Sequence, residues 1–317
     1  MRRRRWGDRL LAVAVGTLSL WYAVRWLDIP TFVIAVAQSL VPVAGILLVA
    51  VTLAAWASKR RRTAAVGAVA SVAALVGALP FVVPSGRADP GPDDLVVMAS
   101  NLQFGGADPV ALTGAVRVRG VDVLVLLEVT PSAVDRLRDA GLEDDLPYVV
   151  GHPRPGADGT LIRSRYPLTE LPTPTFPGEV NLSQPVARVE LPGSPVGAAP
   201  RSVLIRAVHP MPPTDPNLTF WRQSLDGLAT WARSQPDGIP LVLAGDFNAS
   251  ADHPGYRQVA DGLVDAHEAA GSGWVRTWPI GRRVIPPFVQ IDHVLAKGLT
   301  VTGAGSEVIP GTDHALV

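Results

Sequence analysis

Long apolar stretches fill the first third of the chain, and short apolar runs ending in polar residues fill the rest. The long stretches cover residues 10–27, 31–57 and 64–83, and none of them shows a polar face. A helix needs about 20 apolar residues to cross the hydrocarbon core of a bilayer. The pattern therefore predicts three transmembrane helices within residues 1–83. Gln38 and Pro42 lie inside the second stretch, and membrane helices tolerate proline.

Two other interpretations of these stretches stay open. A buried helical hairpin of a soluble protein could also be apolar, although a surface helix usually keeps one polar face. The first stretch could instead be a cleavable signal peptide. Against that, no small-x-small cleavage site follows Leu20, and a second apolar stretch begins at once.

Basic clusters flank the apolar stretches unevenly. Residues 2–5 are all arginine and residues 59–62 are Lys-Arg-Arg-Arg, whereas the link at residues 28–30 has no positive charge. The positive-inside rule predicts that both clusters are cytoplasmic, and three crossings then leave residue 84 onward outside the cell. Residues 84–94, PSGRADPGPDD, have the composition of a linker. A nucleic-acid-binding role for the arginines is a weaker alternative beside such apolar neighbours.

Charge separates the two parts of the chain, although the whole is formally neutral. Residues 1–90 carry 11 Lys and Arg against 3 Asp and Glu, and residues 91–317 carry 17 against 25. The second part has the length of one ordinary domain, which we expect to span residues 95–317. There is no cysteine, but a domain of this size can bury a sufficient core without disulfides.

The segment LVLAGDFNAS, residues 241–250, carries the clearest chemical signal. Its apolar residues predict a buried strand, and Gly245 allows a tight turn. Asp246 and Asn248 are two positions apart, so they leave the strand end on the same side if strand geometry continues through Phe247. An acid and a carboxamide there suit a hard cation and a phosphate oxygen. An Asx-rich turn is the alternative for this segment taken alone.

The same pattern of an apolar strand with a polar end recurs along the domain. Residues 95–101 end in Asn101, residues 121–128 in Glu128 and residues 203–209 in His209. Residues 289–293 carry Asp292 and His293, and the closing GTDHALV carries Asp313 and His314. Any one of these could be a solvated strand end. Open α/β sheets collect their sites at strand ends, so six such ends could converge on one cleft.

Taken in order, these segments resemble the endonuclease/exonuclease/phosphatase superfamily of deoxyribonuclease I-like proteins. The matching pieces are SNLQFGG, LLEV, AVHP, GDFN, IDHV and TDH, spread over residues 95–317, and GDFN and TDH are the specific ones. GTLIRSRYPL, residues 159–168, also resembles a strand-turn segment of that family. Some members support the histidine at the position of His209 with a glutamate from near this segment. This chain has only Arg163, Ser164 and Arg165 there.

The resemblance implies an α/β fold of two packed mixed β-sheets flanked by helices, a four-layer α/β sandwich. The sequence pattern itself predicts helices at residues 109–119, with Asp108 as N-cap, and at residues 131–139. A third helix is predicted at residues 217–234. Its Trp221, Leu225, Leu228 and Trp231 recur at helical spacing and are expected in the core.

The resemblance also implies a metal site. Glu128 would be the principal ligand of Mg²⁺ or Mn²⁺, with Asn101 and Asp313 assisting, and Ca²⁺ is a further candidate. Oxygen ligands of this kind suit these hard cations. The metal would neutralise charge developing on a phosphoryl group.

The remaining strand-end residues are expected to act on the substrate. The resemblance implies that Asp246 and Asn248 would position the attacking water and a phosphate oxygen. His209 would contact phosphate or assist the leaving group, and His314 would pair with Asp292, which fixes the imidazole tautomer. His293 should point to the opposite side of its strand. We expect His152, His253 and His267 to be surface or loop residues.

Together these features predict a membrane-anchored, metal-dependent phosphoesterase that hydrolyses a phosphodiester or phosphomonoester by in-line attack of water. Its partners would be the membrane and a phosphate-ester substrate: a small molecule, a lipid head group or a nucleic acid. No protein partner can be inferred from the sequence. One alternative is a nuclease acting on extracellular DNA, although the acidic domain argues mildly against tight polyanion binding. Another is a non-catalytic binding domain on the same fold.

Overall fold

Two β-sheets pack face to face after a group of N-terminal helices. The computed structural model describes residues 2–85, 88–91, 94–173, 182–193, 201–214 and 218–317. The N-terminal helices are α1 (Arg2–Ala23), followed by a 3₁₀ turn (Val24–Trp26), α2 (Phe32–Ser39), α3 (Val41–Ala57) and α4 (Arg61–Val82). They lie where the apolar stretches predicted helices.

The second apolar stretch is broken rather than continuous. α2 and α3 meet at Leu40 and are bent by 58°. Pro42 lies in the first turn of α3, where its ring would collide with the carbonyl of Gln38 in an unbroken helix. The Gln38 side chain donates hydrogen bonds to the carbonyls of Val24 (3.1 Å) and Leu27 (2.7 Å). The expectation of one helix over residues 31–57 was therefore wrong.

The expectation of three membrane spans also needs correction. Among the described residues, only α4 is long and apolar enough by itself to cross a bilayer, and α2 with α3 would add a second span if the bent pair counts as one. α1 begins with a charged turn and ends at Ala23. Its apolar part starts at Leu10, so it covers only about 21 Å at 1.5 Å per residue, short of the roughly 30 Å core.

The two ends of the helical group have different surroundings. At one end, the carboxylate of Asp8 forms an ion pair with Arg60, which joins the start of α1 to the turn before α4. At the other end, Arg25 pairs with Asp252 at 3.2 Å. Residues 24–35 therefore lie against the β-sheet part of the molecule, and the turn at residues 58–61 lies away from it.

The first sheet has four strands in the order β1-β2-β4-β3. Its strands are β1 (Val97–Asn101), β2 (Val123–Leu127), β3 (Tyr148–His152) and β4 (Thr160–Ser164). β1 and β2 are parallel, and the other pairs are antiparallel.

The second sheet has six strands in the order β5-β6-β7-β8-β10-β9. They are β5 (Leu168–Leu171), β6 (Val186–Leu191), β7 (Arg201–Val208), β8 (Leu241–Asp246), β9 (Val264–Asp265) and β10 (Asp292–Lys297). β7 and β8 are parallel and the other neighbours antiparallel. Both sheets are thus mixed, as the resemblance implied.

Helices cover the outer faces of both sheets. They are α5 (Pro109–Arg119), α6 (Pro131–Asp139), α7 (Leu142–Asp145), α8 (Thr219–Ser234), α9 (Pro254–Ala260) and α10 (Ala266–Ala270). Asp108 caps α5 by accepting hydrogen bonds from two backbone amides, as predicted. The apolar stripe of α8 packs into the core against β8, which confirms it as core.

The centre of the sandwich is an aliphatic layer between the two sheets. Val125 and Ile162 of the first sheet meet Ile205 and Val242 of the second, and all four are at most 2 % exposed. Apolar burial of this kind stabilises a fold by about 25 cal/mol for each Å² removed from water. It holds the strand ends of the two sheets in fixed relation.

Two histidines that we expected to be surface or loop residues are buried, although His253 does lie in the loop before α9. His253 lies between the sheets and the helical group, where Nδ1 accepts from the Ser250 amide (2.9 Å) and Nε2 lies 3.0 Å from the carbonyl oxygen of Ala35. Burial lowers the pKa of His253 to about 4. His267 is also buried, with Nε2 3.1 Å from the carbonyl oxygen of Gly305, and His152 is exposed as expected.

The aliphatic layer gives the first testable expectation. Ile205→Ala should lower the free energy of unfolding by about 2–5 kcal/mol, because it leaves a cavity between two sheets that cannot collapse. Val118→Ala on α5 is the control, since Val118 is 87 % exposed and its loss should cost less than about 0.5 kcal/mol. Denaturant unfolding of the detergent-solubilised protein measures both. Equal effects of the two substitutions would contradict the packing described.

Candidate active site

Four strands of the two sheets bring their polar ends to one place. Asn101 ends β1, Asp246 ends β8, and Glu128 and His209 directly follow β2 and β7. Asn101 donates from Nδ2 to Glu128 Oε1 and to Asp246 Oδ2, both at 3.2 Å. One carboxamide thus joins the first sheet to the second.

Asp292 reaches the same place from the start of its strand. The sequence placed it at the end of a strand over residues 289–293, but β10 begins at Asp292. β10 runs antiparallel to β8, with Asp292 opposite Asp246. The start of an antiparallel strand lies beside the end of its neighbour. Asp292 therefore joins the other polar residues, although the predicted strand over residues 289–293 was wrong.

The buried Thr277 holds this strand start. Its Oγ1 accepts from the backbone amides of Ile291 (3.0 Å) and Asp292 (3.2 Å). His293 faces the other side, as expected, with Nδ1 2.8 Å from Asp265 Oδ2 and 3.0 Å from the Tyr256 hydroxyl.

The C-terminal segment completes the cluster. Val317 exchanges two backbone hydrogen bonds with Ala99 of β1 (2.8 and 3.0 Å). Thr312 donates from Oγ1 to the Asn101 carbonyl (2.7 Å) and accepts from the His314 amide (3.1 Å). The segment is thereby fixed beside β1 without forming a regular strand of its own.

His314 lies between buried carboxylates. Its Nδ1 is 3.1 and 3.0 Å from the two oxygens of Asp292, and its Nε2 is 3.8 Å from Asp246 Oδ2. Burial alone would lower the pKa of His314, but the charges of Asp292 and Asp246 outweigh it and raise the pKa to about 10. The ring is therefore protonated at neutral pH and presents Nε2–H to the site.

Asp246 occupies the centre of the cluster. It is 2 % exposed, and its Oδ1 accepts from the Asn248 amide at 2.7 Å. Burial raises the pKa of Asp246 to about 7, an effect that the charge of His314 opposes and that of Asp292 reinforces. A carboxyl group with such a pKa can exchange a proton near neutral pH.

His209 is neutral under the same conditions. Its Nε2 lies 3.9 Å from Glu128 Oε1 and 4.0 Å from Asp246 Oδ2. Burial, reinforced by the charge of His314, lowers the pKa of His209 to about 4. Its Nδ1 has no hydrogen-bond partner among the described residues. The negative charge of Asp158 opposes this lowering of the His209 pKa. Asp158 lies one residue before the strand-turn segment 159–168 and belongs to no sequence motif.

Backbone geometry aims several of these side chains. Glu128 (φ +55°) and Asn248 (φ +49°) are non-glycine residues in the left-handed region, which costs about 1–3 kcal/mol each and is typical of functional sites. Glu128 Oε2 accepts from the Phe104 amide at 2.8 Å. A Cβ at Gly245 would lie 2.2 Å from the Val208 carbonyl oxygen, so only glycine fits the close parallel pairing of β7 and β8.

The open side of the cluster is formed by its half-buried members. These are Glu128, Asn248 and Asp313. Asn248 donates from Nδ2 to the carbonyl of Pro210 at 3.2 Å. Asp313 Oδ1 lies 3.9 Å from His314 Nε2, and its Oδ2 pairs at 3.1 Å with Arg282, a residue that no sequence motif singled out. All eight residues proposed from sequence are thus neighbours in one connected site.

The donor set fits a hard divalent cation. The site holds one protonated imidazole and four carboxylates, those of Glu128, Asp246, Asp292 and Asp313. A divalent cation would relieve the repulsion between these carboxylates, which helps to raise the pKa of Asp246. Possible ligand atoms of Asp246, Asp292 and His314 lie within 4.8 Å of one another, but the protonated His314 ring has no free nitrogen lone pair, so the carboxylate oxygens are the donors available to a cation. The half-buried Glu128 and Asp313 add further oxygen donors on the open side.

Comparison with known proteins identifies the family. Residues 98–314 match the Endonuclease/Exonuclease/phosphatase family, and the chain belongs to it. Its characterised members are metal-dependent phosphoesterases, nucleases and phosphodiesterases. A comparison with curated proteins found no match.

Solved structures share the fold at low sequence identity. A functionally unknown conserved protein from Enterococcus faecalis V583 is 13 % identical with a TM-score of 0.53, over 69 % of this chain and 96 % of that one. TDP2 of D. rerio, complexed with a single-strand DNA product, is 16 % identical with a TM-score of 0.50, over 70 % and 96 %. An endonuclease/exonuclease/phosphatase from Beutenbergia cavernae DSM 12333 is 21 % identical with a TM-score of 0.50, over 71 % and 70 %.

The electrostatics of His314 can be tested directly. Asp292→Asn should lower the pKa of His314 from about 10, because Asp292 is the strongest of the charges that oppose the burial of the ring. Imidazole NMR signals of the metal-free protein, assigned with His314→Gln, report the titration. Asp261→Asn, at an exposed carboxylate, should leave it unchanged. An unaltered pKa in Asp292→Asn would contradict the pairing.

Proposed function

We propose that this chain is a membrane-anchored, metal-dependent phosphoesterase that hydrolyses a phosphate ester by in-line attack of water. The observation that carries the proposal is the protonated His314 held between Asp292 and Asp246 beside an open carboxylate edge. Phosphoryl transfer needs mainly positioning and electrostatic stabilisation. The cluster supplies both without a nucleophilic serine or cysteine.

Each residue has a role that follows from its protonation and position. Asp246, with its pKa of about 7, orients the attacking water and accepts its proton. His314 donates from Nε2 to a phosphate oxygen while Asp292 holds Nδ1. Asn248 positions a second phosphate oxygen.

The remaining residues act at the open side and on the leaving group. His209 is neutral at pH 7 and donates a hydrogen bond toward the leaving-group oxygen. Glu128, with Asn101 and Asp313, would hold Mg²⁺ or Mn²⁺, and Ca²⁺ is a third candidate. The bound ion would supply charge neutralisation on the phosphoryl group.

Two substrate classes, a small or lipid phosphate ester and DNA, fit the proposed reaction. A nuclease acting on extracellular DNA is the second candidate, and it is favoured by the shared fold of D. rerio TDP2, whose structure contains a single-strand DNA product. The 25 acidic against 17 basic residues beyond residue 90 favour a smaller phosphate ester, because affinity for nucleic acid depends on basic contacts. A non-catalytic domain is disfavoured, since the cluster keeps every acid and histidine that the reaction needs.

A substrate panel separates these candidates. The full chain in detergent, with Mg²⁺ or Mn²⁺, should be assayed on bis-p-nitrophenyl phosphate, plasmid DNA, sphingomyelin and phosphoinositides. Hydrolysis of a small or lipid phosphate ester in preference to DNA would support the phosphoesterase. Preferential cleavage of DNA would favour the nuclease, and inactivity on all four would favour a binding domain.

Turnover should depend on Glu128. Glu128→Gln should lower metal affinity and reduce hydrolysis of bis-p-nitrophenyl phosphate by at least about 100-fold, because it removes the carboxylate that would hold the ion, and with it the neutralisation of charge in the transition state. Glu170→Gln is the matched control, at an exposed carboxylate of β5. Metal titrations of initial rate measure both, and circular dichroism checks folding. Full activity of Glu128→Gln, or of the wild type in EDTA, would refute the metal mechanism.

The catalytic part should lie outside the cell and the turn before α4 in the cytoplasm. Supporting this, residues 59–62 are basic, and Asp8 pairs with Arg60 at the end of the helical group away from the sheets. An alkaline phosphatase fusion after residue 90 should therefore be active and one after residue 60 inactive, at matched expression. The reverse pattern would overturn the proposed topology.

A further inference from the structure

An apolar cavity separates the helical group from the catalytic part. Its volume is about 330 Å³, within the range of about 300–1,000 Å³ typical of small-molecule pockets. One wall is built from Gly45 and Val49 of α3 and from Ala74 and Ala78 of α4. Gly45, Ala74 and Ala78 carry at most a methyl group as side chain, which leaves this space open.

The wall of the cavity continues into an exposed apolar surface. Ile46, Leu75 and Val82 line the cavity and are 59 %, 56 % and 57 % exposed. They belong to the helices that are long and apolar enough for a bilayer, α4 and the bent α2–α3 pair. A contiguous exposed apolar surface is normally covered by another apolar surface, and hydrocarbon that covers these helices can reach the cavity along the side chains of Ile46, Leu75 and Val82.

The opposite wall belongs to the loop that follows the catalytic motif. Residues 250–252 line it, two positions beyond Asn248. Asp252 is held there by Arg25 at 3.2 Å. His293 also lines the cavity, and it faces away from Asp292 because successive side chains of a strand point to opposite faces. An occupant would therefore contact the loop behind the active site without entering the catalytic cluster.

We propose that this cavity binds one alkyl chain of a membrane phospholipid, which enters between α3 and α4 and packs against residues 250–252. The inference rests on the membrane attachment in the proposed function. The bound chain is not the substrate, because the strand start at Asp292 and His293 separates it from His314. Its role is to fix the loop that positions Asn248 when the protein sits in a bilayer.

Photocrosslinking with a defined lipid tests the site. The full chain is reconstituted in vesicles of phosphatidylcholine that contain a phosphatidylcholine with a diazirine near the end of one acyl chain. Trp274 and Val275 also line the cavity, and together with residues 250–252 they form the catalytic wall. After illumination, mass spectrometry should map crosslinks to this catalytic wall, in addition to the exposed helix surface. Crosslinks confined to the exposed helix surface of the wild type would overturn the proposal.

A pair of variants ties those crosslinks to the cavity. Ala78→Phe fills the space and should reduce crosslinks on the catalytic wall by about tenfold. Val69→Phe places the same ring on α4 at a position that is 74 % exposed and outside the cavity, and it should leave them unchanged. Crosslinks that persist in Ala78→Phe would show that the lipid reaches that wall by another route, against the proposal.

Hydrolysis of bis-p-nitrophenyl phosphate by the same vesicles keeps the two proposals apart. Crosslinks at the catalytic wall without turnover would support the lipid site and count against the phosphoesterase. Turnover without those crosslinks would support the phosphoesterase and overturn the lipid site.

Discussion

The placement of His314 between Asp246 and Asp292 is the constraint on which the rest of the site depends. Asp246 and Asp292 face each other because β8 and β10 are antiparallel in that register. His314 comes from the C-terminal segment, which is fixed to β1 of the other sheet through Ala99 and Asn101. The contacts of the His314 imidazole with the two carboxylates therefore form only when both sheets pack, and the chemistry depends on the aliphatic layer between the sheets.

Burial and neighbouring charges give Asp246, His209 and His314 their different roles. It moves the pKa of Asp246 up to about 7 and that of His209 down to about 4, so one can accept a proton and the other stays neutral at pH 7. His314 is the exception, because two neighbouring carboxylates outweigh the effect of burial. Environments that separate the pKa values of neighbouring groups are typical of acid–base sites.

Much of this site could be predicted from the sequence, because strand-end motifs report local geometry. GDFN marked the end of β8, and capping and helical spacing found α5 and α8. What the sequence could not show depended on contacts between distant segments. Thr277 sets the start of β10 through its hydrogen bonds to the backbone. The break at Leu40 arises because the ring of Pro42 would collide with a carbonyl group. His253 is buried because the helical group covers it. Asp158 and Arg282 lie outside all the motifs found in the sequence.

The measurement that tests the central claim is a double-mutant cycle on Asp292 and His314. Turnover of Asp292→Ala, His314→Ala and the double mutant is compared at saturating metal. If Asp292 acts by orienting and charging His314, each single change should cost similar activity and the double mutant should cost little more. A nearly active Asp292→Ala, with a double mutant showing the product of the two single effects, would contradict the account.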